Sequence, residues 1–281
     1  MLDWLTDPFA SDLTQRALLG GLLAAVTTSV VGTWVVVRGM AFLGDALAHG
    51  VLPGIALAFA WGVDVTIGAF AAAAVLIAGI DVVQRRARLT EDTGIGLLFV
   101  GMLALGVVII SREASYSGDL TSFLFGDVLG VRASHLRLQA VVAALTLAGV
   151  VLGYRPFLAL SFNRDKAAAL GLRPGLAHGA LLTLLALAVV SSFRAVGTLL
   201  VFALLVAPPA TATLVVRRLP AAMALAVVLG ALAVVAGLAI SYHADTAAAA
   251  TIAVVSVGLF FAVLAVREIL SPSTVRASRR L

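Results

Sequence analysis

Long apolar runs separated by short polar segments dominate this sequence. An α-helix needs about 20 apolar residues to cross a hydrocarbon core of about 30 Å, and most of the runs meet that length. The shortest run can extend past Asp81, and the alternating segments of about ten residues that build membrane β-barrels are absent. The pattern predicts an all-α polytopic membrane protein with eight or nine transmembrane helices. The runs free of Asp, Glu, Lys and Arg are 17–37, 46–63, 65–80, 93–111, 138–154, 174–193, 195–216, 219–244 and 246–266.

The composition supports a membrane location. Hydrophobic residues make up 62% of the chain and charged residues 12%, against about 45–50% and about 25% in soluble domains. A soluble domain of 281 residues cannot bury so much apolar side chain, because much of any folded surface stays in contact with water. The same composition excludes intrinsic disorder and a nucleic-acid-binding surface. We therefore expect membrane lipid, and no nucleic acid, around this chain.

The basic residues predict an orientation. With the N-terminus outside, fourteen of the nineteen Lys and Arg residues fall on the inner side and five on the outer side. Cytoplasmic loops of membrane proteins carry such an excess, so the C-terminus is expected in the cytoplasm. We expect one transmembrane domain over 1–281, in which 1–16 form an outer segment, 155–175 a cytoplasmic loop and 267–281 a cytoplasmic tail.

Two connections are long enough to form structure of their own. Residues 112–137 lie outside and contain the apolar FLFGDVLG at 123–130, which is too short to span and predicts an interfacial or re-entrant helix. Asp127 within it either lines an outer vestibule or caps that helix.

The inner connection at 155–175 predicts a short cytoplasmic helix. Asn163 or Asp165 can cap it, Leu170 is its last residue, and Gly171 suits its C-terminal end. Exposed Ala168 and its apolar neighbours suit docking to another protein. A well-capped connector explains the same residues, so both interpretations stay open at this point.

Ionisable residues at membrane depth are costly and are usually functional. Asp45 and His49 in GDALAHGVLPG are four residues apart, which puts both side chains on one helical face. A carboxylate and an imidazole so placed can share a divalent first-row metal ion. Alternatively, Asp45 caps the helix and His49 forms a hydrogen bond inside the bundle. Gly50, Pro53 and Gly54 predict a kink and close helix packing directly after the pair.

Other histidines carry weaker signals. His243 and Asp245 in SYHADT lie at an outer helix boundary, where spacing of two suits an irregular turn. They are candidate metal contacts at the outer mouth, although solvated loop residues explain them equally well. His135 and His178 occur singly near interfaces and receive no role.

Several chemistries are excluded by missing residues. The chain has no cysteine, so it forms neither disulfides nor thiolate metal sites. It contains no HExxH metalloprotease motif and no G-x-x-x-x-G-K-[ST] phosphate-binding loop. Any ATP that drives this protein must therefore bind to a separate subunit, and the chain itself is not expected to be an enzyme.

Six segments in this order form a recognisable combination: GDALAHGVLPGIAL at 44–57, EDTGIGLLF at 91–99, FLFGDVL at 123–129, FNRDKAAALGL at 162–172, VGTLLVFALLVAPPATATL at 196–214 and SYHADTAAAATIAVVSVGLFF at 241–261. Taken together, they resemble permeases of bacterial zinc- and manganese-type ABC importers. The resemblance extends from about Ala17 to Val266.

The resemblance implies a fold like that of the vitamin B12 and siderophore importers, with helices around a central pathway in the bacterial inner membrane. It also implies three kinds of partner: a second permease copy, usually identical, two ABC ATPase subunits, and an extracytoplasmic protein that delivers the metal. Asp45 and His49 match family positions proposed to contact the ion in transit. The ATPase-coupling segment corresponds to 162–172, and so to Asn163, Asp165, Ala168, Leu170 and Gly171.

Two departures from the family pattern stand out. The chain has Asp-Thr-Ala at 245–247, where many members have a turn containing Pro or Gly. It also has Pro208 and Pro209 where one proline is usual, which predicts a shifted helix kink.

We therefore predict a permease subunit for zinc or manganese ions, with no permanently bound cofactor and with ATP on the partner chain. Three alternative functions make different predictions. An ABC permease for a metal chelate or other organic substrate predicts a wider pathway in which Asp45 and His49 are structural. An ion-coupled secondary transporter predicts internal repeats, and none is evident. A membrane-embedded enzyme lacks a recognisable catalytic constellation.

Overall fold

The computed structural model describes residues 7–9, 11–86, 91–111, 133–162 and 164–270. Within these residues the chain is almost entirely helical and contains no strand. The helices are α1 (Asp12–Val37), α2 (Ala41–Gly50), α3 (Leu52–Ala60), α4 (Val65–Arg86), α5 (Glu91–Ile110), α6 (Ala133–Leu152), α7 (Tyr154–Phe162), α8 (Arg164–Ala169), α9 (Pro174–Val196), α10 (Thr198–Val215), α11 (Leu219–Ala244) and α12 (Ala248–Leu270).

Nine spans of the described chain are long and apolar enough to cross a membrane, with α2 and α3 together forming one of them. The prediction of an all-α polytopic membrane protein is confirmed. The second span begins at Ala41, five residues before the apolar run that starts at 46, because the helix includes Asp45. The short run at 65–80 continues past Asp81 as far as Arg86.

The centre of the bundle is built around α1, which packs against α6, α9, α10 and α11. In its most apolar window 72% of α1 is buried, whereas only 17% of the α5 window is. Small residues permit close approach at the centre: a side chain at Gly32 would collide with the backbone carbonyl of Leu205 on α10. The poorly buried helix α5 is apolar on all sides, which suits contact with lipid tails or with another apolar helix.

The α3–α4 hairpin is packed in the same way. A Cβ at Gly54 would collide with the carbonyl of Gly68 on α4, and a Cβ at Gly68 would collide with that of Gly54. Both glycines are therefore required for the helices to approach, and the hairpin fixes α3 against α4. The turn between them is exposed at Gly62, which has a φ of 67°.

Some predicted features lie outside the described residues. They include the proposed outer helix at 123–130 with Asp127, the N-terminal six residues, Asn163, and the tail after Leu270. Residues 133–137, expected at the end of the outer connection, belong to α6 instead.

Candidate metal pathway

Asp45 and His49 lie one helical turn apart on α2. His49 Nε2 and Asp45 Oδ1 are 3.5 Å apart, and the two side chains keep 25% and 29% of their surface exposed, respectively. The other residues between 43 and 50 are buried. The pair therefore forms a polar, partly accessible strip on an otherwise packed helix. Because α2 begins at Ala41 after Met40, the alternative in which Asp45 caps the helix is wrong.

Two glycines of α2 determine which face carries the pair. A side chain at Gly44 would collide with Leu205 on α10, and a Cβ at Gly50 would lie 2.8 Å from Leu76 Cδ2 on α4. The glycine side of α2 is thus pressed into the bundle. Asp45 and His49 occupy the part of the helix that this packing leaves accessible.

The spacing of the two donor atoms suits a metal ion. Two ligands about 2.1 Å from a tetrahedral ion such as Zn²⁺ are separated by about 3.4 Å, and adjacent ligands of an octahedral ion such as Mn²⁺ by about 3.0 Å. The observed 3.5 Å between His49 Nε2 and Asp45 Oδ1 is close to the tetrahedral separation. A movement of about 0.5 Å would bring the two atoms to the octahedral one.

The helix ends directly after the pair. α2 stops at Gly50, Val51 separates the helices, and Pro53 lies in the first turn of α3. The negative end of the α2 dipole therefore lies beside His49. Such helix interruptions favour bound cations in membrane transporters. This one would stabilise a cation bound by Asp45 and His49.

Aromatic rings flank the pair, and neither ring was predicted from the sequence. The Phe99 ring of α5 lies edge-on to the rings of His49 and Phe42, at centroid distances of 6.3 and 5.5 Å. The position of Phe42 was readable, because 42, 45 and 49 follow one helical face. Phe99 comes from another helix, so no local pattern could place it there.

No group of three or more His, Cys, Asp or Glu side chains gathers within the described ranges. Asp45 and His49 therefore remain a two-ligand site there, and the described residues do not join them to His243 and Asp245. Few ligands suit a transport pathway, since an ion that is held weakly can leave.

His243 and Asp245 lie at the end of α11. His243 is in the last turn, and Asp245 ends the helix in the left-handed conformation with a φ of 49°. Both side chains are exposed, and the His243 ring packs edge-on against Tyr242 at 5.2 Å. Asp tolerates this conformation better than most residues, so Asp245 makes this turn without a glycine.

Pro208 and Pro209 lie inside α10, and both are buried. The helix runs from Thr198 to Val215 without interruption. A Cβ at Gly230 of α11 would lie 3.7 Å from the Pro208 ring, so the first proline packs against a neighbouring helix. The doubled proline therefore does not break this span.

The short helix predicted within 155–175 is present as α8, and it ends at Ala169, one residue before the predicted end at Leu170. Gly171 has a φ of 74°, and its N–H donates to Ala168 O at 3.0 Å while Leu172 N–H donates to Ala167 O at 3.1 Å. This pair of bonds is the Schellman motif that ends helices at glycine. Asp165 lies inside α8 and not before it.

Residues 168–170 of this segment expose an apolar surface. Leu170 is 73% exposed, Ala168 and Ala169 are also exposed, and Ala167 is buried against the bundle. An apolar side chain that projects from a capped turn is available for contact with a partner.

His178, which had no predicted role, is almost fully buried near the start of α9. Both terminal nitrogens of Arg38 lie 3.3 Å from His178 Nδ1. This contact joins the end of α1 to α9 across 140 residues of sequence, which is why sequence spacing gave no sign of it.

Comparison with known proteins identifies membrane proteins of metal transport systems as relatives. Residues 10–267 match the model of the ABC 3 transport family. The chain is 38% identical to the manganese transport system membrane protein MntC of Listeria monocytogenes, covering 88% of both chains. It is 34% identical to the chelated iron transport system membrane protein YfeD of Yersinia pestis, covering 95% of this chain and 90% of that one.

A solved structure resembles the fold closely. PsaBC from Streptococcus pneumoniae, in complex with Fab, superimposes with a TM-score of 0.83 at 32% sequence identity, covering 94% of this chain and 95% of that one. The match extends over nearly the whole bundle.

Proposed function

The chain belongs to the ABC 3 transport family, and from this membership we propose that it is the permease subunit of an ATP-driven importer of divalent transition-metal ions. In this proposal a separate ABC ATPase supplies the energy and an extracytoplasmic binding protein delivers the ion. The observation that carries the proposal is the accessible pair of Asp45 and His49, with donor atoms 3.5 Å apart.

Manganese is the ion we propose first, with iron(II) next. Relatives named for manganese and for chelated iron support this order. Zinc, predicted from the sequence together with manganese, stays a proposal that rests on the donor atoms alone. One carboxylate and one imidazole accept all three ions, and affinity order does not separate them.

The exposed apolar residues 168–170 at the end of α8 support the ATPase as a partner. We propose that α8 and Leu170 dock in a cleft of that subunit, because they place exposed apolar side chains on a capped turn between two spans. The positive-inside distribution of Lys and Arg supports a cytoplasmic position for this segment.

The function is tested by uptake into vesicles. The permease is reconstituted with its ATPase, the delivery protein is added outside, and ATP is enclosed inside. We expect uptake of radioactive Mn²⁺ that requires ATP and competes with excess unlabelled Mn²⁺. Uptake of an iron chelate without competition from free Mn²⁺ would favour the chelate permease instead, and uptake without ATPase would favour a secondary transporter.

The proposed orientation gives a direct labelling prediction. The chain has no cysteine, so a single introduced thiol is the only labelling site. Ala247 and Ala169 are small exposed residues on the proposed outer and inner sides. A membrane-impermeant maleimide should label Ala247→Cys in intact spheroplasts and Ala169→Cys only after permeabilisation. The reverse labelling order would contradict an N-terminus outside.

We also propose that two copies surround one pathway. Asp45 and His49 supply two ligands, whereas Mn²⁺ favours about six in octahedral geometry, so one copy leaves the site short of protein ligands. Photobleaching of a fluorophore on Ala247→Cys should occur in two steps per purified importer. A single step at full labelling would show one permease per complex and remove this proposal.

A further inference from the structure

The C-terminal end of α1 contacts both flanks of the segment that carries α8. Trp34, fully buried, packs edge-on against Tyr154 and Phe157 of α7 at centroid distances of 5.6 and 5.7 Å. One turn later, Arg38 contacts His178 of α9. The helices before and after α8 in the sequence, α7 and α9, therefore both contact the end of α1.

The Arg38–His178 contact has a defined direction. A guanidinium carries donors and no acceptor, so Arg38 donates and His178 Nδ1 accepts. A hydrogen bond in this direction requires a His178 tautomer with its proton on Nε2. Because His178 is only 5% exposed and faces a permanent positive charge, it suits a fixed contact and not a station for a passing cation.

The end of α1 is also joined tightly to α2. Gly39 has a φ of 68°, its N–H donates to Val36 O at 3.0 Å, and Met40 N–H donates to Val35 O at 2.9 Å. This is a second Schellman motif, and Met40 is buried. This turn connects Arg38 directly to α2, the helix of Asp45 and His49.

From these contacts we propose that Arg38 and His178 are positioning residues that transmit movement of the α8 segment to the metal pair. The path runs from α8 through His178 to Arg38, across the Gly39 turn, and into α2. This inference rests on the proposed function, since it assigns the transmission of ATPase motion in the same transporter.

The test compares metal transport with ATP hydrolysis in one sample. The complete importer is reconstituted in vesicles, and Mn²⁺ ions taken up per ATP hydrolysed are measured. His178→Ala should lower this ratio about tenfold, as expected from losing a hydrogen bond to a charged group. His178→Asn, whose side-chain oxygen can replace Nδ1 as acceptor, should restore most of it. Thr183→Ala, on the same helix and exposed, is the matched control and should not change the ratio.

A second readout separates transmission from damage to the site. Binding of Mn²⁺ to the detergent-solubilised importer should be unchanged in His178→Ala. If that variant assembles poorly, Arg38→Met removes the same contact and Arg38→Gln keeps a donor. A wild-type ratio in both His178→Ala and Arg38→Met, or equal loss in His178→Asn and His178→Ala, overturns the proposal. Failure of the unaltered importer to move Mn²⁺ would instead overturn the proposed function.

Discussion

Asp45→Asn will lower ATP-driven metal uptake by at least about tenfold, the order of loss seen when a metal site loses a supporting group. The substitution keeps the size of the side chain and its capacity for hydrogen bonding but removes the negative charge. That charge faces His49 at 3.5 Å on an accessible strip of α2. His49→Ala should cause a comparable loss by removing the nitrogen ligand. Initial rates of Mn²⁺ uptake into reconstituted vesicles provide the measurement.

Asp12→Asn is the matched control for this prediction. Asp12 also pairs with a residue one turn later, Arg16, at 3.1 Å, but its side chain is 86% exposed. An exposed ion pair of this kind contributes little to stability, so the control should transport at the unaltered rate. If well-folded Asp45→Asn and His49→Ala proteins also transport at that rate, the pair has a structural role and the chelate permease gains support.

Leu170→Glu will separate ATP hydrolysis from transport. Leu170 projects from the turn after α8 and is 73% exposed, so a charge there costs the isolated permease little. In a docked complex the same carboxylate would be buried against the ATPase without a partner, which is costly. We expect metal uptake to fall about tenfold or more, while membrane insertion stays normal. Ala168→Glu should act in the same direction.

The matched control for Leu170 is Ile269→Glu at the end of α12. Its exposure, 75%, is nearly the same, but it lies on a different helix from α8. Uptake, ATPase activity and copurification of the ATPase are measured for both variants. Coupling through α8 is contradicted if Leu170→Glu retains full uptake and complex assembly, or if Ile269→Glu shows the same defect.

Much of the fold could be predicted from the sequence, because every helix that crosses a bilayer needs about 20 apolar residues in a row. Uninterrupted apolar length identified the helices, and the α8 segment was visible from its polar start and Gly171. Relative positions within one helix could also be predicted: the four-residue spacing of Asp45 and His49 is enough to place them on one face. The helix break at Val51 was expected from Gly50 and Pro53, and it falls beside His49.

The contacts that complete the site depend on which helices become neighbours. Phe99 reaches His49 from α5, and His178 reaches Arg38 from α9. Helices that are apolar on all sides carry little information about their partners, since lipid and protein satisfy them equally. Small residues such as Gly32 and Gly54 lie where two helices approach closely. The sequence shows that such a contact is possible, but only the three-dimensional packing shows which helix each residue contacts.

Pulsed electron paramagnetic resonance of Mn²⁺ bound to the purified importer tests the central claim most directly. An imidazole that binds Mn²⁺ couples its nitrogen nucleus to the unpaired electrons of the ion. We predict nitrogen coupling in the unaltered protein, its loss in His49→Ala, and weaker binding of Mn²⁺ in Asp45→Asn. His243→Ala, an exposed histidine at the end of α11, should keep the coupling. Nitrogen coupling that persists unchanged in His49→Ala, or that is absent from the unaltered protein, would contradict a metal site at Asp45 and His49.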